Sequence, residues 1–313
     1  MHSHTPPACL LGIDVGGTTI GGVAVVTHPD GAVDILATGE RPARQGRDAL
    51  VEDVAAVCDI LRDAVDGRAV PRSIGIGTPG KVDVASGNVS DIANLSVDTV
   101  ALGSDVARRT GLPVQVENDV NAAAIGAARM LGTADAHVVA FLNLGTGLAA
   151  GILRDGRLDH GARHTVGEIG HIPVERHRWP CGCGQRGCLE TAGSGGAVTR
   201  LWPYDSPPMP GLLRAAADAR SPRHAEAVDT KRTVVRAICD AIDVLALAVD
   251  PDLIIVGGGM ARTGQPLLDA LRGELHDRAS ASPFIRSLAI PDHLRLAPDA
   301  LPLGAIGAAL VAP

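Results

Sequence analysis

One pattern, an apolar strand followed by a glycine turn and a second apolar strand, occurs twice in this sequence and constrains its fold more than any other feature. Residues 10–26 turn at Gly16-Gly17, and residues 137–153 turn at Gly145-Thr146-Gly147. A strand that turns at glycines directly into another strand predicts a β-hairpin, whereas a dinucleotide-binding fold needs a G-x-G-x-x-G turn into a helix. We therefore expect two related halves, and we expect neither a Rossmann dehydrogenase nor bound NAD.

The rest of the chain alternates strand and helix patterns, which predicts an α/β protein. Helical patterns cover residues 48–65, 102–110, 120–130, 225–249 and 303–310, and apolar strand patterns cover residues 33–38, 74–77, 113–117 and 253–256. A chain of 313 residues suits two domains. We expect a small N-terminal α/β domain at residues 1–132 plus about 297–313, with the last helix folding back onto the first half. A larger C-terminal α/β domain would cover residues 133–296, with residues 202–210, which hold four prolines, as a rigid connection or lid.

Composition and charge exclude several classes of protein. The net charge of −7 argues against a nucleic-acid binder, which usually carries a basic face. No apolar run reaches about 18 residues, so we expect no membrane span. Residues 1–7 lack a basic n-region, so we expect a short lead-in rather than a signal peptide, and a cytoplasmic protein. In that compartment, clustered cysteines suggest a metal before a disulfide.

Three of the six cysteines lie close together, downstream of a histidine. His171, Cys181, Cys183 and Cys188 form the pattern H-x9-C-x-C-x4-C. Three thiolates and one imidazole satisfy tetrahedral zinc and leave no position for water. Unrelated cysteines, or a disulfide beside a histidine, are the alternative. The spacing favours a structural zinc site that takes no direct part in chemistry.

Glu117-Asn118-Asp119 stands where a strand is expected to run into a helix. The simplest role of Asn118 or Asp119 is to cap that helix. A carboxylate at this position can also accept a proton from a substrate hydroxyl, and the helix N-terminus favours its ionised form. Phosphoryl transfer needs little more than a positioned nucleophile and charge stabilisation. Asp119 is therefore the candidate general base.

Three glycine turns follow apolar strands and offer backbone N–H groups to phosphate oxygens. Their residues are Gly16, Gly17 and Thr18; Gly145, Thr146 and Gly147; and Gly257, Gly258 and Gly259. One such turn is weak evidence, but three, two of which open hairpins, indicate a phosphate-binding protein. Asp14, just before the first turn, is suited to hold Mg²⁺ through water, as this cation prefers.

In this order, these motifs resemble those of the ROK family of repressors, uncharacterised reading frames and sugar kinases. The resemblance runs from Leu10 to Leu310 and rests on residues 14–18 (DVGGT), 75–80 (GIGTPG), 117–119 (END), 144–147 (LGTG), 167–171 (GEIGH) and 181–190 (CGCGQRGCLE). The last two segments are the most specific to the family. The resemblance implies an actin/hexokinase-like (ribonuclease H-like) fold, with two α/β domains and a cleft that closes on sugar and MgATP.

The resemblance also implies roles for individual residues. Asp119 would deprotonate the 6-hydroxyl of a hexose, with ATP as the phosphate donor. Sugar contacts are implied at Gly80, Asn94, Asn118, Asp119, Glu168, His171 and Glu190. His171 would use one ring nitrogen for zinc and the other for the sugar. Because family kinases are commonly dimers or tetramers, we expect a homodimer or homotetramer.

Three segments depart from the family pattern near the expected sugar site: residues 96–99, His164 and residues 202–210. They leave the sugar open between glucose and an amino sugar: 3-amino-3-deoxyglucose, N-acetylmannosamine or N-acetylglucosamine. Polyphosphate is the alternative donor, although relatives that use it generally lack the cysteine cluster. A non-catalytic sugar-responsive regulator is disfavoured. The first hairpin begins near residue 10, which leaves no room for a helix-turn-helix, and such a regulator needs neither Asp14 nor Asp119.

Overall fold

The computed structural model describes residues 6–313, so most of the predicted lead-in lies outside the described residues. The chain divides into two compact units, one comprising Met1–Ala134 with Ala300–Pro313 and the other comprising Asp135–Asp299. We propose that these units are the two domains expected from the sequence.

The first unit is built around a five-stranded sheet. Its elements, in chain order, are β1 (Ala8–Val15), β2 (Thr19–Thr27), β3 (Val33–Pro42), α1 (Arg47–Val65), β4 (Val70–Thr78), β5 (Lys81–Asp83), β6 (Asn88–Ile92), β7 (Val97–Val100), α2 (Leu102–Thr110), β8 (Val114–Asn118) and α3 (Asp119–Leu131). The strand order is β3-β2-β1-β4-β8. β1 is antiparallel to β2 but parallel to β4, and β4 is parallel to β8. The carboxyl ends of β1, β4 and β8 therefore meet at one edge of the sheet.

The second unit repeats this arrangement. Its elements, followed by the last helix of the chain, are β9 (Val138–Leu144), β10 (Leu148–Arg154), β11 (Arg157–Leu158), α4 (Glu190–Gly193), α5 (Gly195–Leu201), α6 (Pro208–Ala217), α7 (His224–Ala248), β12 (Leu253–Gly257), α8 (Gln265–Ala281), α9 (Pro283–Ser287), β13 (Leu294–Leu296) and α10 (Leu303–Val311). The strand order is β11-β10-β9-β12-β13, with β9 antiparallel to β10 and parallel to β12. The repeated hairpin predicted from the sequence is confirmed.

Side chains at helical spacing explain why α1 and α7 pack on these sheets. α1 buries one face in the core of the first unit, through Leu50, Val54, Val57, Leu61 and Val65. α7 buries Val234, Ile238, Ile242 and Leu245 in the core of the second unit. Both cores consist mainly of aliphatic side chains, which matches the scarcity of aromatic residues in the sequence. No helix within residues 6–313 combines the length and apolar character needed to cross a membrane.

The last helix, α10, belongs to the first unit and packs against α3, β1 and β4. Glycine makes this close approach possible. A Cβ atom at Gly12 in β1 or Gly75 in β4 would overlap a backbone carbonyl of α10, and one at Gly307 in α10 would overlap a carbonyl of α3. The backbone of α10 therefore lies directly on the sheet, with no side chains between them at these points.

The proline-rich segment is anchored in the core of the second unit by Trp202 and Met209, while Pro203, Tyr204, Ser206 and Pro207 between them are exposed. Trp202 is 1% exposed, and its indole Nε1 donates a hydrogen bond of 2.7 Å to Oδ2 of Asp205. Pro208 begins α6, where its missing N–H group costs nothing. Both roles expected for this segment, a rigid connection or a lid, stay predictions.

Replacing Gly75 with alanine should destabilise the first unit. The added methyl group would push α10 away from β4, and overpacking of this kind typically costs about 1–3 kcal/mol. Chemical denaturation should therefore show a lower free energy of unfolding for Gly75→Ala than for the natural protein. Gly21→Ala is the control, because a Cβ on this glycine of β2 would meet nothing within 4 Å. Equal losses in both variants would contradict the close packing of α10.

Candidate active site and metal centre

Two aspartates lie at the same edge of the first sheet. Asp14 is the second-last residue of β1, and Asp119 begins α3 directly after β8. β4 pairs in parallel with both strands, which brings their carboxyl ends to this edge. The negative charge of Asp119 contributes to a raised pKa of Asp14, so the two carboxylates interact electrostatically.

Asn118 is the cap of α3. Its side-chain oxygen accepts hydrogen bonds from the backbone N–H groups of Val120 at 2.9 Å and Asn121 at 3.3 Å. The sequence left the cap open between Asn118 and Asp119, and the structure assigns it to Asn118. Oδ1 of Asp119 also accepts from the N–H of Val120, at 3.0 Å. The turn that begins the helix therefore orients the candidate base as well.

Glu117 supports this turn from inside the unit. It is 3% exposed, and its Oε1 accepts hydrogen bonds from the N–H of Asn118 at 2.9 Å and from Nδ2 of Asn121 at 3.0 Å. Neither Glu117 nor Asn121 was predicted as a site residue. The available signal was a charged residue inside the apolar pattern of β8, because carboxylates are rarely buried without partners.

Asp14 lies where a carboxylate is costly to ionise. Its pKa is raised from 3.8 to about 6, first by burial and then by the negative charge of Asp119. Gly304, in the first turn of α10, packs against this carboxylate, and a Cβ there would lie 2.6 Å from Oδ2. A bound cation would favour the ionised form. A metal ion near Asp14 would therefore stabilise its carboxylate.

The first glycine turn joins β1 to β2. The N–H of Gly16 donates to the carbonyl oxygen of Thr19 at 3.0 Å, which closes the turn, and Thr18 is exposed. Asn94 packs against Gly17, where a Cβ would lie 2.7 Å from the Asn94 Nδ2. The structure thus brings a residue expected to bind sugar beside a turn expected to bind phosphate.

Gly80 also belongs to the first unit, in the turn between β4 and β5. Its φ of +93° favours glycine, and a Cβ at this position would lie 2.5 Å from the carbonyl oxygen of Ser90. Gly80, Asn94, Asn118 and Asp119, four of the implied sugar contacts, are therefore all residues of the first unit.

The other two glycine turns meet in the second unit because β9 and β12 are parallel neighbours. Gly258 has a φ of +81°, and a Cβ there would lie 2.5 Å from Oδ1 of Asn143. The start of α5 approaches the same place, since the N–H of Gly195 donates to the carbonyl oxygen of Gly145 at 2.7 Å. The N–H of Gly196 likewise faces the carbonyl oxygen of Thr146 at 3.2 Å. The close approach of Asn143 and the positive φ explain why residue 258 is glycine.

The predicted metal ligands converge. One ligand atom from each of His171, Cys181, Cys183 and Cys188 lies within 4.8 Å of all the others. Nδ1 of His171 is 3.7 Å from Sγ of Cys181, and the Sγ atoms of Cys183 and Cys188 are also 3.7 Å apart. Thiolates bound tetrahedrally to zinc lie about 3.8 Å from one another, whereas a disulfide is about 2 Å long. The four residues therefore fit a closed tetrahedral metal site and not a disulfide.

Two glutamates lie beside this cluster. Oε1 of Glu190 accepts a hydrogen bond of 2.9 Å from Sγ of Cys181 and lies 3.7 Å from Nδ1 of His171. The other ring nitrogen of His171, Nε2, lies 3.9 Å from Oε2 of Glu168. A Cβ at Gly147 would be 3.3 Å from Oε2 of Glu190, so the cluster also adjoins the second glycine turn.

Comparison with known proteins adds an independent finding. The model of one protein family, described as the ROK family, matches residues 10–313. This chain belongs to the ROK family. The family resemblance stated from the motifs is therefore confirmed.

Individual ROK proteins are similar over nearly the whole chain. A glucokinase of Thermotoga maritima is 31% identical over 87% of this chain and 88% of its own length. An N-acetyl-D-glucosamine kinase of Erwinia tasmaniensis is 29% identical, with coverage of 86% and 88%. The structure of a ROK family glucokinase from Streptomyces griseus, in complex with glucose and AMPPNP, is 30% identical. It has a TM-score of 0.75 and covers 97% of this chain and 99% of its own. The predicted two-domain actin-like fold is thus confirmed.

Replacing Asp14 with asparagine should stabilise this ROK chain at alkaline pH. Ionisation of Asp14 lowers the free energy of unfolding, because the pKa of this carboxyl is higher in the folded chain than in the unfolded chain. This cost is complete above about pH 6, and it disappears below about pH 4, where the group is protonated in both states. A shift of about two pKa units corresponds to up to about 3 kcal/mol, and we expect about 1–3 kcal/mol because Asp14 is partly exposed.

Chemical denaturation without Mg²⁺ or nucleotide, at pH 8 and at pH 4, measures this effect. Asp14→Asn should gain stability over the natural protein at pH 8, and the gain should shrink at pH 4. Asp63→Asn, an exposed aspartate of α1, is the matched control and should show little change at either pH. If Asp14→Asn and the natural protein were equally stable at pH 8, ionisation of the Asp14 carboxyl would not destabilise the folded chain, which would contradict this prediction.

Proposed function

We propose that this protein is an ATP-dependent kinase that phosphorylates the 6-hydroxyl of glucose or a close derivative. The observation that carries the proposal is the position of Asp119 at the N-terminus of α3, at the sheet edge that also holds Asp14. The similarity to glucokinases over most of the chain, and to a ROK glucokinase in complex with glucose and AMPPNP, supports this activity.

In the proposed reaction, Asp119 accepts the proton of the attacking 6-hydroxyl, while Asn118 binds a neighbouring hydroxyl. MgATP supplies the phosphoryl group. Asp14 would hold Mg²⁺ through water. Because the pKa of its carboxyl is raised, a nearby cation would stabilise the ionised form. The three glycine turns would bind phosphate oxygens through backbone N–H groups. Positioning and charge stabilisation of this kind carry most of the catalysis of phosphoryl transfer.

The remaining sugar contacts are proposed from the resemblance. They are Gly80 and Asn94 in the first unit, and Glu168, His171 and Glu190 in the second. The grouping of Glu168 and Glu190 around the His171 ring supports this assignment for the second unit. An amino sugar is the alternative substrate, and the similarity to an N-acetyl-D-glucosamine kinase favours keeping N-acetylglucosamine among the candidates.

We further propose that His171, Cys181, Cys183 and Cys188 hold a structural Zn²⁺. Four protein ligands would complete a tetrahedral site, so the metal would fix the loop without binding water or substrate. Nδ1 of His171 faces Cys181, which leaves Nε2 for Glu168 and the sugar.

A coupled assay of ADP release tests the kinase activity. The panel comprises glucose, mannose, allose, fructose, N-acetylglucosamine, N-acetylmannosamine and 3-amino-3-deoxyglucose, and we expect turnover with glucose or one of its close derivatives. Asp119→Asn should lower kcat by about 10²–10⁴-fold, because a positioned general base contributes that much. Asp63→Asn, a charge change on the exposed face of α1, should retain turnover. An Asp119→Asn variant as fast as the natural protein would disprove the role of this base.

Metal analysis of protein purified without chelator tests the zinc site. We expect about one zinc per chain in the natural protein and less than about half that amount in Cys183→Ala, because an intact structural site needs four ligands. Cys183 is exposed, so its replacement removes a ligand without opening a cavity. Cys9→Ala, in β1, is the control for loss of a thiol outside the cluster, and this variant should still contain about one zinc per chain. Less than about half an equivalent in the natural protein would contradict the assignment.

A further inference from the structure

A cavity of about 400 Å³, lined mostly by charged residues, lies within the second unit. Three segments line it: the start of the metal-binding loop at residues 175–177, the middle of α7 at residues 232–240, and α8 near Glu274 and Arg278. This volume lies within the range of small-molecule sites. None of its lining residues belongs to the candidate active site described above.

Three arginines give the cavity an anion-binding character. Arg176 makes no ion pair within residues 6–313, Arg232 pairs only with exposed Asp229 at 2.9 Å, and Arg236 lies 3.6 Å from Glu274. Arg278 differs, because it is held by short ion pairs with Asp240 at 2.8 Å and Asp243 at 2.6 Å. Arg278 is therefore a structural residue, whereas, among the described residues, Arg176 carries no ion pair and Arg232 and Arg236 each keep guanidinium donors beyond their single ion pair. Guanidinium groups suit phosphate because they donate parallel hydrogen bonds.

The buried carboxylate of Glu175 adds a second requirement, which is that the ligand carry a hydrogen-bond donor. The Glu175 side chain is 5% exposed, and its Oε1 accepts a hydrogen bond of 3.0 Å from the N–H of His177. Its Oε2 is buried and has no hydrogen-bond partner among the described residues. A buried carboxylate oxygen without a donor is costly, so a ligand that supplies a hydroxyl or amine hydrogen there would be favoured. An anion alone leaves this oxygen unsatisfied.

We propose that the cavity binds a phosphorylated polyol: the phosphate on Arg176, Arg232 and Arg236, and a hydroxyl donating to Glu175. A sugar phosphate carries both groups, whereas inorganic phosphate carries only the first. The hexose phosphate formed by the kinase is a ligand of this class, and this identification of the ligand rests on the proposed function. The cavity is then an effector site, separate from the reacting groups.

The same residues connect the cavity to the metal-binding loop. The N–H of Glu175 donates to the carbonyl oxygen of Gly187 at 2.8 Å, and Gly187 precedes the metal ligand Cys188. The ring of His177 stacks on Trp179 with centroids 4.3 Å apart, and Arg200 of α5 lies over the same indole at 4.6 Å. A ligand that holds Glu175 would thereby brace the loop that carries the cysteines.

Isothermal titration of the full chain, with glucose saturating the substrate site, tests the proposal. The probes are glucose 6-phosphate, inorganic phosphate and glucitol, each up to about 10 mM, which detects sites of millimolar affinity. We expect glucose 6-phosphate to bind more tightly than phosphate and glucitol not to bind. Arg176→Ala and Arg232→Ala should each weaken glucose 6-phosphate binding by about tenfold, since a hydrogen bond to a charged group contributes at least that much.

Two variants sharpen the result. Arg220→Ala removes an exposed arginine that does not line the cavity, and it should bind like the natural protein. Glu175→Gln keeps the shape of the side chain but weakens the acceptor, so it should reduce the preference for glucose 6-phosphate over phosphate. Phosphate bound as tightly as the sugar phosphate in both proteins would overturn the polyol assignment.

The site itself would be disproved in two ways. One is the absence of binding by the natural protein, and the other is undiminished binding by both arginine variants. Competition between glucose 6-phosphate and glucose would also contradict it, because it would place the ligand in the substrate site. Turnover in the ADP-release assay should persist in Arg176→Ala and Arg232→Ala, so failure of this proposal leaves the kinase test intact. If the chain bound glucose 6-phosphate through these arginines but had no kinase activity, only the proposed function would be disproved.

Discussion

The parallel pairing of β1, β4 and β8 is the constraint on which the candidate active site depends. It brings the ends of three strands to one edge and thereby places Asp14 near Asp119, even though more than a hundred residues separate them in the chain. Two carboxylates at one edge repel each other, and burial adds to the cost of ionising Asp14. Divalent metal and phosphate charge would relieve this cost. The site is therefore arranged for a ligand rather than for stability of the ligand-free chain.

The second unit uses the same strand arrangement for a different purpose. There the parallel pairing of β9 with β12 brings two glycine turns together instead of two carboxylates. The metal cluster adjoins this region through Glu190, which contacts Cys181 on one side and lies beside Gly147 on the other. A metal ion held by the proposed ligands would give rigidity to a loop that has little regular structure between β11 and α4. Rigidity of that kind is what the orientation of His171 and Glu190 requires.

Much of this arrangement could be predicted from the sequence because the signals were local. Apolar strands with glycine turns predicted both hairpins, the spacing of His171 and the cysteines predicted a cluster whose four residues converge, and the Ala/Gly pattern at residues 303–310 predicted a helix that folds back onto the first half. α5, α6 and α8 were not predicted, since glycines and prolines begin the first two and the polar character of α8 weakens its periodicity. The pKa of Asp14 and the cavity near Glu175 could not be predicted, because both depend on groups brought together from distant segments.

In the proposed reaction, a phosphoryl group passes from ATP to the 6-oxygen of a hexose. Phosphorus–proton correlation NMR of the product tests it most directly, because the coupling identifies the carbon whose oxygen carries the phosphate. We expect a correlation between the product phosphorus and the two protons on C6, with one ADP formed per ester. A correlation to the proton on C1, or release of inorganic phosphate without any sugar ester, would contradict it.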